Sequence, residues 1–377
     1  MQEYGNSRKA LIVATISGFI TSFEKNNIAI LQDLGYQVHL ACNTDGDAIE
    51  HRLSPLKEQG VVVHHIPFTR SPFSKGNIAA YKQLKQLMLE GDYDLVHCHT
   101  PVGGVLGRMA AHAAKVPYVM YTAHGFHFFD GAPKKYWLIF YPVEKFLSRW
   151  TDALVTITRE DFDRARNKFS AKKTVYIPGV GLDTARFSSN ADGRAKIRTE
   201  LGLNDNDFML LSIGELNTNK NHSAVIKAIA GMDITYAIAG RGDKDSELQA
   251  LALEQGVDLR LLGYRNDVAD LYYAADAYIL PSLREGLNVS LMEAMASGKP
   301  CLCGKIRGNV DLIEDRVGGY LFDSHDIASI QDAIKKTLSM TEDGRKSMGQ
   351  TNQEKIKNFD KSIVEKIMRE QYQGIID

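Results

Sequence analysis

The stretch from Pro281 to Pro300, PSLREGLNVSLMEAMASGKP, reads as the end of a strand, a tight turn and a short helix. Gly286 permits a turn that residues with a side chain resist, and Asn288 or Ser290 can cap the helix that follows. Gly298 and the final proline end that helix. The stretch therefore predicts one strand–turn–helix unit of an α/β fold.

Two carboxylates flank the N-terminus of this predicted helix. Glu285 lies in the preceding loop, and Glu293 lies just past the first turn. The backbone N–H groups of Asn288 and Val289, at the positive end of the helix dipole, suit an anion such as a phosphate. Carboxylates suit hydroxyl groups that must be held in a fixed orientation. The pattern indicates a ligand that carries both phosphate and sugar.

The whole string from Glu285 to Pro300 resembles the Glu-x7-Glu motif of the retaining glycosyltransferases of family four, the glycosyl transferases of group 1. The resemblance implies the GT-B fold, an α/β architecture of two Rossmann-like, doubly wound parallel-sheet domains that face a central cleft. It also implies roles for the matching residues. Glu285 contacts the donor sugar in catalysis, Glu293 binds the ribose hydroxyls, and the amides of Asn288 and Val289 hold the pyrophosphate.

Predicted strands and helices alternate along the whole chain, as in parallel, doubly wound sheets. A chain of 377 residues is long enough for two domains. The segment from Ile177 to Phe187 resembles the interdomain segment of the family, and its glycines and proline suit a hinge. We expect an N-terminal acceptor-binding domain at 1–180 and a C-terminal donor-binding domain at 181–357. By the resemblance, a last helix at about 358–377 packs back on the first domain.

Composition excludes several classes of protein. The chain is 44% hydrophobic and 24% charged, with a net charge of -1, which is typical of a soluble globular protein and argues against nucleic acid as a partner. Met1–Ser7 is polar, so no signal peptide is predicted, and no apolar run reaches the roughly 20 residues that span a bilayer. The four cysteines, at 42, 98, 301 and 303, lie in apolar runs and favour a reduced, cytoplasmic location.

Local spacing predicts no metal site. His97-Cys98-His99 and Cys301-Leu302-Cys303 contain suitable ligand types, but neither belongs to a two-plus-two ligand set. We therefore expect a metal-independent protein with no cofactor, in which the nucleotide-sugar donor is a co-substrate.

The first domain supplies two candidate site residues. Its opening strand is not followed by a G-x-G-x-x-G fingerprint, which argues against a dinucleotide oxidoreductase. In the family this loop lies near the donor diphosphate, and Gly18 is the candidate there. His124 lies at the carboxyl end of a predicted strand, where open α/β sheets bind ligands. It matches a family position whose imidazole approaches the donor sugar, whereas His127 stays open between the site and ordinary packing.

The second domain supplies two candidate cations. Lys220 matches the family lysine that neutralises the donor pyrophosphate. Glu215 stands where the family usually has an arginine, and its carboxylate would repel phosphates. Our hypothesis is that Arg241 replaces that arginine. The loop at 263–268 resembles the one that frames the nucleotide base, but it does not decide between UDP and GDP.

The aromatic segment from Lys134 to Trp150 allows two interpretations. It is either a core-facing helix or a helix on an anionic membrane surface, and the two can coexist if only the Lys134-Lys135 end touches lipid. The segment also resembles the corresponding part of exopolysaccharide and capsule glycosyltransferases, whose acceptors are lipid-linked. A peripheral contact with the inner face of the cell membrane is therefore part of the expectation.

These resemblances predict a retaining hexosyl- or N-acetylhexosaminyltransferase that moves a sugar from a UDP-sugar to a polyprenyl-linked glycan. Lys220, the amides after Gly286 and the helix dipole would stabilise the leaving diphosphate. Two alternatives stay open. A UDP-sugar 2-epimerase has the same fold and needs no acceptor, and a non-catalytic nucleotide-sugar binding or scaffold subunit would explain Glu215.

Overall fold

The structure is a computed structural model that describes residues 8–46, 49–187 and 191–375. The expectation about Met1–Ser7 lies outside the described residues. The chain divides into two compact units. The first comprises Met1–Val180 and Ser362–Asp377, and the second comprises Gly181–Lys361.

The first unit is built on a seven-stranded parallel sheet in the order β3-β2-β1-β4-β5-β6-β7. Its central strands β1, β4 and β5 are buried along most of their length because both faces of a parallel sheet are covered. The strands are β1 (Lys9–Ile16), β2 (Gln37–Asn43), β3 (Val62–His65), β4 (Leu95–His99), β5 (Tyr118–Ala123), β6 (Ala153–Thr156) and β7 (Lys173–Tyr176).

The first helical segment differs from its prediction. The sequence predicts a turn at Ser17-Gly18-Phe19 followed by one amphipathic helix to about Leu34-Gly35, but the structure has two helices with a break at Glu24. Ser17 begins the first helix directly after β1, with no intervening turn. The helices of this unit are α1 (Ser17–Phe23), α2 (Lys25–Asp33), α3 (Ile49–Glu58), α4 (Gly76–Gly91), α5 (Pro101–Ala114), α6 (Lys134–Leu147) and α7 (Arg159–Lys168).

The second unit is built on a six-stranded parallel sheet in the order β10-β9-β8-β11-β12-β13. Successive residues of its strands enter two different buried clusters, as Ile279 and Leu280 do, because side chains alternate between the faces of a sheet. The strands are β8 (Met209–Ile213), β9 (Thr235–Ala239), β10 (Asp258–Gly263), β11 (Ala277–Leu280), β12 (Cys301–Gly304) and β13 (Gly319–Phe322).

Helices cover this second sheet: α8 (Ala191–Leu201), α9 (His222–Ala228), α10 (Asp245–Gln255), α11 (Val268–Ala274), α12 (Val289–Ala296), α13 (Asn309–Leu312), α14 (Ile327–Leu338) and α15 (Glu342–Ile356). The sheets confirm the prediction of parallel α/β units. Strand β13 was not predicted, because it has only four residues and begins with a glycine.

The last helix, α16 (Lys361–Gln373), contributes its residues from Ser362 onward to the first unit. Tyr372 is fully buried, and its hydroxyl lies 2.8 Å from Nδ1 of His97 on β4. The other ring nitrogen of His97 lies 2.8 Å from the hydroxyl of Thr122 on β5. The end of the chain thus completes a buried polar chain in the first unit.

Helix α6 packs one face against the core of the first unit and exposes apolar side chains on another. Trp137, Phe140 and Tyr141 pack against the core of the first unit. Leu138 and Phe146 are exposed by 78% and 49%. Across the described residues, no helix combines the length and hydropathy needed to cross a bilayer.

Candidate functional site

The candidate site in the second unit is built around the start of α12. Asn288 caps the helix, because its side-chain oxygen accepts a hydrogen bond from the backbone N–H of Leu291 at 3.0 Å. The same oxygen accepts a hydrogen bond from the hydroxyl of Ser290 at 2.7 Å. The predicted cap is confirmed, and α12 begins at Val289 as the motif requires.

Glu293 lies just past the first turn of α12. Its Oε2 is 2.9 Å from the hydroxyl of Tyr272, a fully buried residue of α11. Burial raises the pKa of Glu293, and the hydrogen bond from Tyr272 and the charge of Arg186 oppose that shift. The carboxyl is thus held in one orientation by a neighbour that the sequence motif did not reveal.

Lys220 and Glu285 form an ion pair. The Nζ of Lys220 lies 2.7 Å from Oε1 of Glu285, and both side chains are largely buried, with 15% and 13% exposed. Lys220 follows β8, whereas Glu285 follows β11, so adjacent parallel strands bring the two residues together. At Gly214 a Cβ atom would lie 3.1 Å from Cε of Lys220, so glycine leaves room for the lysine.

The loop that carries Glu285 rests on a second loop through backbone contacts. A Cβ atom at Gly308, where φ is +80°, would lie 1.6 Å from the carbonyl oxygen of Gly286. Arg307 is buried, and its guanidinium donates a hydrogen bond of 3.3 Å to the carbonyl oxygen of Glu285. Sequence reasoning missed both contributions, since they join segments about 20 residues apart.

Arg241 and Glu215 line one depression with a volume of about 500 Å³ at the carboxyl ends of β8 and β9. Arg186, Tyr264 and Arg265 line it as well. The guanidinium of Arg265 is bound to Glu200 and Asp267, which raise its pKa. The structure therefore brings Arg241 into the same unit and hollow as Glu215.

In the first unit, His124 follows β5, and 20% of its side chain is exposed. Its Nε2 lies 3.3 Å from Nδ1 of His99 and 3.9 Å from Oε1 of Glu24. The ring of Phe19 meets it edge-on, with the centroids 4.7 Å apart. Burial lowers the pKa of His124 to about 4, so the imidazole is neutral near pH 7.

Glu24 is the residue of this cluster that sequence analysis missed. It is 1% exposed, and burial raises its pKa to about 8, against a hydrogen bond from Asn27. Its Oε1 lies 3.2 Å from Nδ1 of His99. A signal was present, because Glu24 falls between Ile20 and Ile28 at helical spacing and therefore on the buried face.

The other two candidates of the first unit have less specific surroundings. Gly18 lies in the first turn of α1, where a Cβ atom would meet only Arg52 at 3.8 Å, so the fold itself does not require glycine. His127 lies against Phe140, with ring centroids 4.6 Å apart, in an apolar pocket that Phe73 and Val143 also line. This environment favours the packing interpretation of His127.

The described cysteines, which are all four of the chain, are free and buried. One group of side chains has the composition of a metal site. Glu24, His99 and His124 each offer a ligand atom, and these atoms lie within 4.8 Å of one another.

Comparisons with known families match most of the chain. The family described as Glycosyl transferases group 1 matches residues 193–355, and the family Glycosyl transferase 4-like matches residues 10–158. A Bacillus subtilis protein named "Putative glycosyltransferase EpsD" is 34% identical over 98% of both chains. An Escherichia coli protein named "UDP-Gal:alpha-D-GlcNAc-diphosphoundecaprenol alpha-1,3-galactosyltransferase" is 32% identical over 69% of both.

Solved structures share the fold. The Anabaena protein Alr3699/HepE, in complex with UDP and glucose, has a TM-score of 0.79 at 20% identity and covers 97% of this chain and 100% of its own. WaaG, a glycosyltransferase involved in lipopolysaccharide biosynthesis, has a TM-score of 0.72 at 17% identity, with 97% and 100% covered. These similarities confirm the GT-B architecture that the sequence predicted.

Proposed function

Because this chain belongs to the group 1 glycosyltransferases, the family that its motif resembled, we propose that it transfers a sugar from a UDP-sugar to a polyprenyl-linked saccharide. The transfer retains the anomeric configuration and serves exopolysaccharide or capsule synthesis. The acceptor class is supported by the relative whose name specifies a diphosphoundecaprenol-linked substrate. UDP as the nucleotide is supported by that same name.

The observation that carries the proposal is the ion pair between Lys220 and Glu285 beside the start of α12. Lys220 exchanges this carboxylate for the donor diphosphate, which carries more negative charge. The exchange leaves Glu285 available to accept hydrogen bonds from hydroxyls of the donor sugar. One lysine thereby couples binding of the phosphates to orientation of the sugar.

The remaining donor contacts follow from the same helix. The amides of Asn288 and Val289 hold the pyrophosphate at the positive end of the α12 dipole, and Glu293 accepts the ribose hydroxyls. Arg241 supplies the second positive charge that Glu215 does not, which is supported by the shared hollow. Lysine, arginine and amides together stabilise the departing diphosphate without a metal ion bound to it.

The acceptor side belongs to the first unit. The neutral imidazole of His124 contacts a sugar hydroxyl, and Gly18 lies near the diphosphate. We assign the enzyme to the cytoplasm, with peripheral contact at the inner membrane face. The apolar surface of α6, at Leu138 and Phe146, supports that contact together with Lys134 and Lys135.

The test is an incubation of the purified enzyme with UDP-sugars, with and without a polyprenyl-diphosphate-linked N-acetylhexosamine. We expect UDP release only when both are present, and loss of this release in Glu285→Gln. Glu254→Gln, an exposed change on α10, is the matched control and should keep the wild-type rate.

Two outcomes would contradict the proposal. Interconversion of UDP-sugars without acceptor would identify a 2-epimerase. Binding of UDP without turnover in every donor and acceptor pair would identify a non-catalytic subunit. A thermal shift with UDP that weakens in Glu293→Ala separates this last case from a protein that does not bind the nucleotide.

A further inference from the structure

We propose that Glu24, His99 and His124 form a binding site for one divalent transition-metal ion, of which Zn²⁺ fits best. The three residues come from separate segments of the first unit. Glu24 lies at the break between α1 and α2, His99 ends β4, and His124 follows β5. The spacing within any one segment could not reveal such a site, which is why the sequence predicted no metal.

The distances between the three ligand atoms are the first argument. They are 3.2 Å from Glu24 Oε1 to His99 Nδ1, 3.3 Å between His99 Nδ1 and His124 Nε2, and 3.9 Å from His124 Nε2 to Glu24 Oε1. Tetrahedral ligands bound to Zn²⁺ at about 2.0–2.1 Å lie about 3.3 Å apart. The three atoms therefore already have nearly the separations of a coordination shell.

The same distances are long for hydrogen bonds. Protein hydrogen bonds between nitrogen and oxygen have a preferred length of about 2.9–3.0 Å, and 3.9 Å is beyond their range. Among the described residues, the ion-pair contacts of Glu24 are with these two imidazoles alone. A buried carboxylate is stabilised by a cationic partner, and a metal ion held by the three ligand atoms would supply one.

The residues around the three proposed ligands are also compatible with a metal site. Asn27 donates a hydrogen bond of 2.7 Å to Oε2 of Glu24, whereas Oε1 is the oxygen near the imidazoles, so Asn27 orients the carboxylate. A cavity of about 20 Å³ that reaches Glu24 and His124 is lined by Asn27 and Thr122 as well. This volume accommodates one ion or water molecule. Two histidines and one glutamate also form a known zinc ligand set with an open fourth position.

The test uses the full chain, freed of any purification tag and treated with a chelator. Zn²⁺ binding is measured by competition with a coloured zinc indicator. We expect saturation at one ion per chain and a dissociation constant at least about a hundredfold weaker in Glu24→Gln and in His99→Asn. His112→Asn is the matched control, since His112 is an exposed histidine on α5 of the same unit, and it should bind like the wild type.

Two results would overturn the site. One is the absence of Zn²⁺ uptake at one equivalent, and the other is unchanged affinity in both ligand variants. If the variants fail to fold, the site is tested in the wild-type protein alone by titration with Co²⁺ and measurement of its visible absorption. A visible absorption band with the intensity of four- or five-coordinate Co²⁺ supports the site, whereas the weak band of six-coordinate Co²⁺ refutes it.

One consequence rests on the proposed function, in which Nε2 of His124 contacts a sugar hydroxyl. A bound ion occupies that nitrogen, so Zn²⁺ at one equivalent should slow sugar transfer in the wild type and not in His99→Asn. The binding measurements use no substrate. A protein that binds Zn²⁺ but transfers no sugar would therefore refute the proposed function and leave the metal site standing.

Discussion

The two units hold their candidate site residues in opposite electrostatic environments. In the second unit, Lys220 and Glu285 form a charged pair beside a helix N-terminus, near a hollow that contains Arg241. In the first unit, burial favours the neutral forms of His124 and Glu24. The difference teaches that the two units suit different parts of the proposed ligands: the charged pair of the second unit suits a diphosphate, and the neutral groups of the first suit hydroxyls.

The largest effect should follow from removing the charge of the second unit. We expect Lys220→Gln to lower kcat by about 10²–10³-fold, because the departing diphosphate loses its positive partner. His124→Asn should lower kcat by only about tenfold, since it removes a neutral hydrogen bond. Steady-state rates of sugar transfer measure both variants.

Lys227→Gln, an exposed change on the neighbouring helix α9, is the control for Lys220. A larger loss of kcat in His124→Asn than in Lys220→Gln would contradict this prediction. The neutral groups around His124 would then contribute more to catalysis than the charge of Lys220.

The site around Lys220 and Glu285 can also be perturbed by a substitution that changes no charged residue. We expect Gly308→Ala to lower the free energy of unfolding by about 3 kcal/mol or more, since its Cβ collides with the backbone of Gly286. Gly256→Ala is the matched control, because its φ is +63° but no atom lies within 4 Å of the added Cβ. It should cost about 1 kcal/mol. Urea unfolding measures both, and equal losses would mean that the collision is relieved by a small shift.

Lowering the pH should destabilise the first unit more than the second. Burial and a neighbouring histidine lower the pKa of His39 to about 4, burial lowers that of His64, and both lie in the first unit. In the second unit burial lowers the pKa of His222 to about 4. Between pH 6.5 and 4 the unfolded chain takes up protons that these folded groups do not, so the free energy of unfolding falls as the pH falls.

A fully buried histidine with this shift, such as His222, contributes at most about 3 kcal/mol to the loss. Hydrogen exchange of the full chain at pH 6.5 and 4.5 reports each unit separately. We expect amides of β2 and β3 to lose more protection than those of α9, and His39→Gln to reduce that difference. Equal protection losses in both units would contradict the prediction.

The smallest effect should follow from removing Arg241, the residue proposed to replace the family arginine. We expect Arg241→Gln to weaken UDP binding by about tenfold, roughly 1.4 kcal/mol, because one exposed arginine partner of the diphosphate is lost. Arg260→Gln, on β10 and outside that hollow, is the control. Calorimetric titration with UDP measures both. Unchanged affinity in Arg241→Gln would leave Lys220 as the sole cationic partner and reject the substitution hypothesis.

Sequence reasoning was most successful where neighbours along the chain decide the structure. The cap at Asn288, the start of α12 and most strands follow from local patterns, so they could be predicted. The pair of Lys220 and Glu285 could not, because 65 residues separate the partners and only the order of strands joins them. Glu24 was missed because a charged side chain in an amphipathic helix is usually exposed, and tertiary burial overrode that rule.

The buried link between Tyr372 and His97 bears on the order of events during synthesis. Domains usually fold in the order in which the ribosome releases them. Here every residue of the second unit leaves the ribosome before Tyr372 does, whereas the first unit needs that residue to complete its core. The core of the first unit can therefore be completed only after the second unit has left the ribosome, when Tyr372 of α16 reaches its position beside His97 of β4.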